Sequence, residues 1–249
     1  MKVTIITATY NSSHHLEDCI RSVMAQNYAD IEHIIVDGKS TDGTVDIIKK
    51  YEQHISSWVS ETDRGMYDAI NKGMAMASGD VIGILNSDDM LVSADVISEI
   101  TKAFTHGIDA VYGDLEYVDR NDNSRVLRIW KGKTYKRSLF RQGWMPAHPT
   151  FYMRRSIIEK YGGYETHYFS AADYEFMARY LFRHKVHACY VPKLIVMMRV
   201  GGQSNINIKQ RLRANRRDYL AMKKNKIPFP FIVSILKPLS KLHQYRKYK

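Results

Sequence analysis

Cysteine is nearly missing from this sequence. Cys19 and Cys189 are its two representatives in 249 residues, far apart and in helix-like and strand-like surroundings. That excludes a disulfide framework and a thiolate metal cluster, and it fits a reducing cytosol. A bilayer-spanning run is also missing. The apolar stretch at 227–236, IPFPFIVSIL, has ten residues, about half of what a transmembrane helix needs. The opening MKVTIITATYN reads as a strand rather than as the apolar segment of a secretory signal. No Gly-rich dinucleotide fingerprint and no P-loop occurs, which argues against NAD-type and P-loop chemistry. No linker or low-complexity stretch divides residues 1–200, so a single domain is expected there.

Acidic residues are what the C-terminus lacks. Of the net +11, residues 205–249 carry 13 Lys or Arg against one Asp, which leaves about −1 for the rest. Within that tail Ile208, Leu212, Tyr219 and Met222 form an incomplete helical stripe. Ile232, Ile235, Leu239 and Leu242 form a second, with Pro238 as a kink. Basic, apolar and aromatic residues in one segment read as an in-plane contact with an anionic membrane surface. Residues 206–249 are therefore expected to be a basic amphipathic extension that keeps the protein peripheral on the cytoplasmic face of the plasma membrane. A nucleic-acid patch and a merely solvated basic helix are the rivals, and no nucleic-acid partner is expected.

What the sequence does contain is a repeat of strand and helix patterns. Strands are expected at 3–6, 31–36, 57–60 and 81–85, and helices at 14–26, 45–51 and 66–77. Such alternation predicts a doubly wound, mostly parallel sheet whose strand-end loops converge on one crevice. Beyond residue 92 the pattern turns mixed and antiparallel: a helix near 94–104, then short strands at 110–112, 115–118 and 125–130. Pro146 and Pro149 make a loop at first and an extended run after, and a helix over 173–182 follows the break at Gly162-Gly163.

The chemistry centres on the stretch VIGILNSDD at 81–89. Its apolar run is a strand buried on both faces, and Asn86, Ser87, Asp88 and Asp89 follow at the carboxyl end, where open α/β sheets place ligands. Adjacent carboxylates repel unless a cation or hydrogen-bond donors hold them ionised. Hard oxygen ligands suit Mg²⁺ or Mn²⁺, and the plainer alternative is an Asx turn capping the next helix. Asp37 ends the second strand, where it can accept from a pyrimidine N–H, with Thr7 and Tyr10 lining the same crevice; otherwise it is a turn aspartate before Gly38. Asp68 and Lys72 stand four apart on one helix, the spacing of a surface ion pair.

In order, TATYN at 7–11, VDGKSTDGT at 36–44, SETDRGMYDAINKG at 60–73, LNSDD at 85–89, AHPTFYMRRSIIEKYGGYE at 147–165, SAADYEF at 170–176 and RVGGQS at 199–204 carry a resemblance. Together they resemble a family 2 glycosyltransferase with the GT-A fold, in the manner of small bacterial enzymes of polysaccharide assembly. The resemblance covers about residues 1–205. It implies an α/β fold with a Rossmann-like, mostly parallel central sheet, a mixed acceptor-side part and, beyond it, the basic helical extension. It also implies inverting transfer from a nucleotide-sugar donor, usually a UDP-sugar, to a glycan or lipid-linked acceptor, with Mn²⁺ or Mg²⁺. The usual Asp-x-Asp-Asp reads Asn86-Ser87-Asp88-Asp89, so the first carboxylate is missing and Asp88 and Asp89 share the ribose and metal contacts, Asp89 as the direct ligand. The usual acidic pair before the late helix reads Ala172-Asp173, leaving Asp173 as the implied general base; read without the resemblance it is an N-cap. Asp63 and Lys72 are placed by the nucleotide, His148 at metal, phosphate or acceptor, and Arg199 as a bidentate diphosphate clamp in a closing loop. A sugar-1-phosphate nucleotidyltransferase would want a Gly-rich loop with a basic residue after strand one, and residues 7–11 have neither. A non-catalytic basic binding protein is the third reading.

Overall fold

The computed structural model describes residues 1–201 and 208–239. Four parallel strands build the first half: β1 (Val3–Thr9), β2 (Ile31–Asp37), β3 (Ser57–Ser60) and β4 (Val81–Ile84). β1 lies between β2 and β4, with Ile6 opposite both Ile34 and Ile84, and β3 pairs with the outer edge of β2. The chain therefore winds outward from β1 to β3 and then returns to the other side of β1 at β4. That reversal is the topological switch point where α/β sheets bind ligands.

The connecting helices form where apolar residues recur at helical spacing. In α1 (Leu16–Met24), Leu16, Cys19, Ile20 and Val23 are buried against the sheet. Helix α2 (Thr44–Lys50) buries Ile48, and α3 (Met66–Met76) buries Ala69, Ile70 and Gly73. β4 is enclosed on both faces, as its unbroken apolar run requires. Gly83 is needed there because an added Cβ would lie 2.2 Å from the ring of Tyr152 on the neighbouring strand.

The second half joins the same sheet. β5 (Asp89–Leu91), α4 (Val96–Ala103), β6 (Ala110–Val118) and β7 (Val126–Trp130) precede α5 (Ser138–Arg141), β8 (Tyr152–Arg154), α6 (Arg155–Tyr161), α7 (Ala172–Met177) and β9 (Ala188–Arg199). Among the described residues the order is β3-β2-β1-β4-β8-β6-β9-β5, with β7 paired to β6. β8 runs antiparallel to both β4 and β6, whereas β6 and β9 are parallel. The strands expected at 110–112 and 115–118 are one strand whose register shifts around Gly113. The helix expected over 173–182 is two pieces: α7, then a π-helical turn over Ala178–Arg183.

Two helices follow, α8 (Ile208–Lys224) and α9 (Pro230–Leu239). α8 contacts α7, α9 and the 3-10 segment Thr166–Ala171, burying Ala221 and Met222, while α9 buries Val233. Lys224 reaches both Glu165 and Glu175, and Lys237 pairs with Asp218 at 2.6 Å. Among the described residues no helix is long and apolar enough to cross a membrane. The motif residue Ser204 and the stripe residue Leu242 lie outside the described residues, as do the side chains of Ile208, Leu212 and Leu239.

Candidate active site

The loops that leave β1, β2, β3 and β4 come together at the carboxyl ends of the strands. Hydrogen bonds between residues far apart in sequence stitch them. Ser12 Oγ lies 2.8 Å from Ser87 Oγ, joining the β1 and β4 loops on either side of the switch point. The Asn11 amide donates to Ser40 Oγ, and the Thr41 amide donates to Asn11 Oδ1. Asp42 accepts from the Ser13 and Thr44 amides and from the Thr44 hydroxyl. Burial opposes ionisation of Asp42, but these donors outweigh it and hold its carboxyl down at about 2.

Asp37, Asp63 and Tyr10 meet at Gly38. A Cβ added at Gly38 would sit 2.6 Å from Asp63 Oδ2 and 3.3 Å from the Tyr10 ring, so the glycine lets these two side chains approach the β2 loop. The Asp37 side chain is not an open acceptor as expected from the sequence. It is fully enclosed and accepts from the Ser40 amide and hydroxyl and from Ser60 Oγ. Thr7 also departs from expectation. It faces the core under α1, where its hydroxyl lies 3.7 Å from Cys19 Sγ and 3.1 Å from His33 Nε2, because strand alternation turns it away from the crevice. Tyr10 is exposed at the mouth. Lys72 does not pair with Asp68; it reaches the Thr62 carbonyl at 2.9 Å and Glu61 at 2.7 Å, while Asp68 takes Arg64. It thereby stands one residue from Asp63.

At the end of β4 the two adjacent acids face different surroundings. Asp89 begins β5, is fully buried and accepts from Asn86 Nδ2 at 2.7 Å, while its Oδ1 has no hydrogen-bond partner among the described residues. Burial, and then the neighbouring Asp88 charge, push its carboxyl well above the ordinary carboxylate range. The Asp88 side chain remains 26% exposed, with Arg120 Nη1 at 4.0 Å from Oδ2. The position expected for the direct ligand, Asp89, is thus closed to solvent, and the open carboxylate is Asp88. Among the described residues no group of three or more His, Cys, Asp and Glu is arranged around a cation. The donor set that is present, one open carboxylate beside a buried one with an unpartnered oxygen, suits an ion that takes few protein ligands and fills its shell with phosphate oxygens and water, the habit of Mg²⁺.

Arg199 is not the free clamp expected from the sequence. Pairing of β9 with β5 sets Met198 opposite Asp89 and draws the guanidinium beneath the acidic loop, where it is 3% exposed. There it donates to the Asp88 carbonyl at 3.0 Å and to Asn123 Oδ1 at 3.1 Å, and it pairs with Asp18. His15 lies in the same electrostatic neighbourhood. Burial lowers its imidazole, and the Arg199 and Arg120 charges lower it further.

Asp173 occupies the second position of α7 and does not cap it; its Oδ1 accepts the Tyr174 amide at 2.6 Å. It sits among Tyr67, Tyr164 and His148. Burial and then the Asp173 charge push both phenols well above the ordinary tyrosine range. His148 is buried and therefore held neutral, and the Asp173 charge opposes that shift without reversing it. The imidazole is not an open contact group either, because its Nε2 is taken by the Tyr164 hydroxyl. Asn71 fixes Tyr164 through its backbone amide and carbonyl, both at 2.8 Å.

The sequence profile of glycosyl transferase family 2 matches residues 4–162. The chain belongs to that family. An uncharacterized glycosyltransferase of Mycobacterium tuberculosis (strain ATCC 25618 / H37Rv) is 32% identical over 188 residues, covering 71% of this chain and 68% of that one. A PGL/p-HBAD biosynthesis glycosyltransferase of Mycobacterium bovis (strain BCG / Pasteur 1173P2) is 33% identical over 183 residues, with the same coverage of 71% and 68%. Among solved structures, a mannosyltransferase of Pyrobaculum calidifontis in complex with GDP-Man and Mn²⁺ superposes with a TM-score of 0.67 at 22% identity, over 97% of this chain and 70% of that one. S. aureus TarS 1–349 in complex with UDP-GlcNAc also gives 0.67, at 18% identity, over 90% and 66%. At these identities the two structures show a shared GT-A fold.

Within this family 2 glycosyltransferase, sequence reasoning missed Arg120, His15 and the Ser12–Ser87 bridge. None of them carries a local signal. Arg120 follows β6 and reaches Asp88 because of long-range strand pairing, which no motif announces.

Proposed function

We propose that the protein is an inverting glycosyltransferase that moves a sugar from a nucleotide-sugar donor, a UDP-sugar, to a hydroxyl of a glycan or lipid-linked acceptor in surface polysaccharide assembly. The observation that carries this reading is the partly exposed Asp88 carboxylate in the loop after the central strand β4, beside the switch point. Its neighbours support it: one solved relative of the same fold holds GDP-Man with Mn²⁺ and another holds UDP-GlcNAc.

Asp88, with Asp89 behind it, would hold Mn²⁺ or Mg²⁺ against the donor diphosphate, and the bound cation would neutralise charge on the departing phosphates. Arg120 stands beside Asp88 as a further cation for that charge. Tyr10, Asp37, Asp63 and Lys72 shape the nucleoside end, Asp37 by holding the β2 loop through Ser40 and Ser60. Asp173 accepts the proton from the attacking acceptor hydroxyl, on the face of the sugar opposite the diphosphate, a role that contributes roughly 10²–10⁴-fold in rate. The buried, neutral His148–Tyr164 pair and Tyr67 surround Asp173 without competing for its proton. Residues 206–249 hold the enzyme peripherally on the anionic inner face of the plasma membrane; the exposed Phe229, Phe231, Ile232 and Ile235 of the α9 region support this contact.

A thermal-shift panel of UDP, GDP and CMP with and without Mn²⁺ tests the donor reading. The expected result is stabilisation by UDP that requires Mn²⁺. A shift with GDP alone overturns the donor class, and the absence of any nucleotide-dependent shift overturns the enzyme reading.

A further inference from the structure

A groove of about 520 Å³ lies between the segment Thr166–Ala171 and α8, lined by His167, Tyr168, Arg217, Leu220, Lys223 and Lys224. It contains none of the donor-site residues on the loops after β1 to β4. Its charges do not balance. Glu175 is buried and bound to Arg179 at 3.2 Å, Glu165 is taken by Lys224 and His167, and Asp218 is taken by Lys237. Arg217 and Lys223 have no acidic partner among the described residues. The groove therefore presents two uncompensated cations over an aromatic and aliphatic floor.

The Thr166–Ala171 wall holds a second feature. Phe169 has φ 48° and ψ −123°, a conformation that non-glycine residues avoid, and is nevertheless 57% exposed. The Arg217 guanidinium lies 4.3 Å from its ring centroid. Strained, exposed aromatics persist where the surroundings enforce them, and such positions cluster at ligand clamps. Leu220, which lines the groove, is also exposed. Cations paired with exposed apolar side chains fit an amphiphile with a phosphate head and a hydrocarbon tail. A nucleotide would leave Phe169 and Leu220 against water, and a free inorganic anion would leave them unused.

We infer that this groove binds the phosphate head of a lipid-borne acceptor, with Arg217 and Lys223 on the phosphate and Phe169 and Leu220 along the first part of the chain. The inference rests on the reading that the acceptor is lipid-linked. The Thr166–Ala171 segment that walls the groove runs directly into α7, which carries the proposed base Asp173, so the two sites share one stretch of chain.

Full-length protein is co-sedimented with phosphatidylcholine vesicles carrying either a long-chain prenyl phosphate or phosphatidylglycerol at matched surface charge. The double substitution Arg217→Gln/Lys223→Gln is expected to weaken binding to prenyl phosphate at least about tenfold while changing binding to phosphatidylglycerol less than about threefold. Equal losses on both vesicles overturn the inference in favour of plain surface electrostatics, and no loss on prenyl phosphate overturns it outright. Complete competition by free inorganic phosphate, or loss of single-stranded RNA binding in place of lipid binding, assigns the groove to another occupant and overturns it as well. Lys223→Glu, at an exposed position, gives the same readout if the double variant folds poorly. The UDP–Mn²⁺ thermal shift is read on the same samples. If it is missing while the vesicle difference is present, the donor reading has failed and the groove has not.

Discussion

Replacing Arg199 by Met separates the two roles that this arginine has been given. The wild-type guanidinium is 3% exposed and donates to the Asp88 carbonyl and to Asn123 Oδ1. Two hydrogen bonds from a charged donor are worth about 1.5 kcal/mol each at the low end. The ion pair to Asp18 adds little, because that carboxylate is 47% exposed. Met also removes a buried charge, which offsets part of the loss. About 2 kcal/mol of destabilisation remains, which for a chain of this size lowers Tm by roughly 4–8 °C. Differential scanning fluorimetry without nucleotide measures that fall, and a UDP–Mn²⁺ titration measures the consequence for the acidic loop. An unchanged Tm combined with a UDP affinity at least about tenfold weaker would refute the reasoning, because it would mean that the guanidinium reaches the donor and does not brace the loop beneath it.

Three further outcomes are expected. Asp173→Asn abolishes transfer and leaves UDP–Mn²⁺ affinity within about twofold, since the side chain lies outside the donor crevice; wild-type turnover in that variant refutes the base assignment. His33, fully buried, has its imidazole lowered by burial from 6.5 to about 4. Above pH 6.5 it is neutral in both states, but as pH falls toward 4 the unfolded chain binds a proton that the folded one refuses, so about 3 kcal/mol of stability is lost across that window; His33→Gln should flatten the Tm–pH curve there, and an unchanged slope contradicts the assignment. Ile232→Ser/Ile235→Ser, at exposed positions of α9, should leave Tm within about 2 °C and reduce co-sedimentation with anionic liposomes; undiminished binding counts against α9 as the membrane face.

The first half of the fold was legible because its elements are specified locally. The apolar spacing of Leu16, Cys19, Ile20 and Val23 announces α1, and the double-faced burial of β4 announces a central strand. The crevice followed, since the loops after four parallel strands must converge at the switch point. What the sequence concealed is set by long-range pairing. β5 is three residues long and exists because β9 accepts it. That pairing encloses Asp89, leaves Asp88 open and draws Arg199 under the loop. Arg120 reaches Asp88 by the same route. Thr7 was misplaced for a simpler reason: extending β1 to Thr9 fixes which face each residue takes, and the expected strand stopped at Ile6.

Isothermal titration of UDP into wild-type protein and Asp88→Asn, each with Mn²⁺ and again with EDTA, bears most directly on the claim that the open carboxylate after β4 secures the donor through a divalent ion. Wild type should bind at least about tenfold more tightly with Mn²⁺ than with EDTA, and Asp88→Asn should lose that difference while keeping the EDTA affinity. A variant that retains the full manganese enhancement would contradict the account.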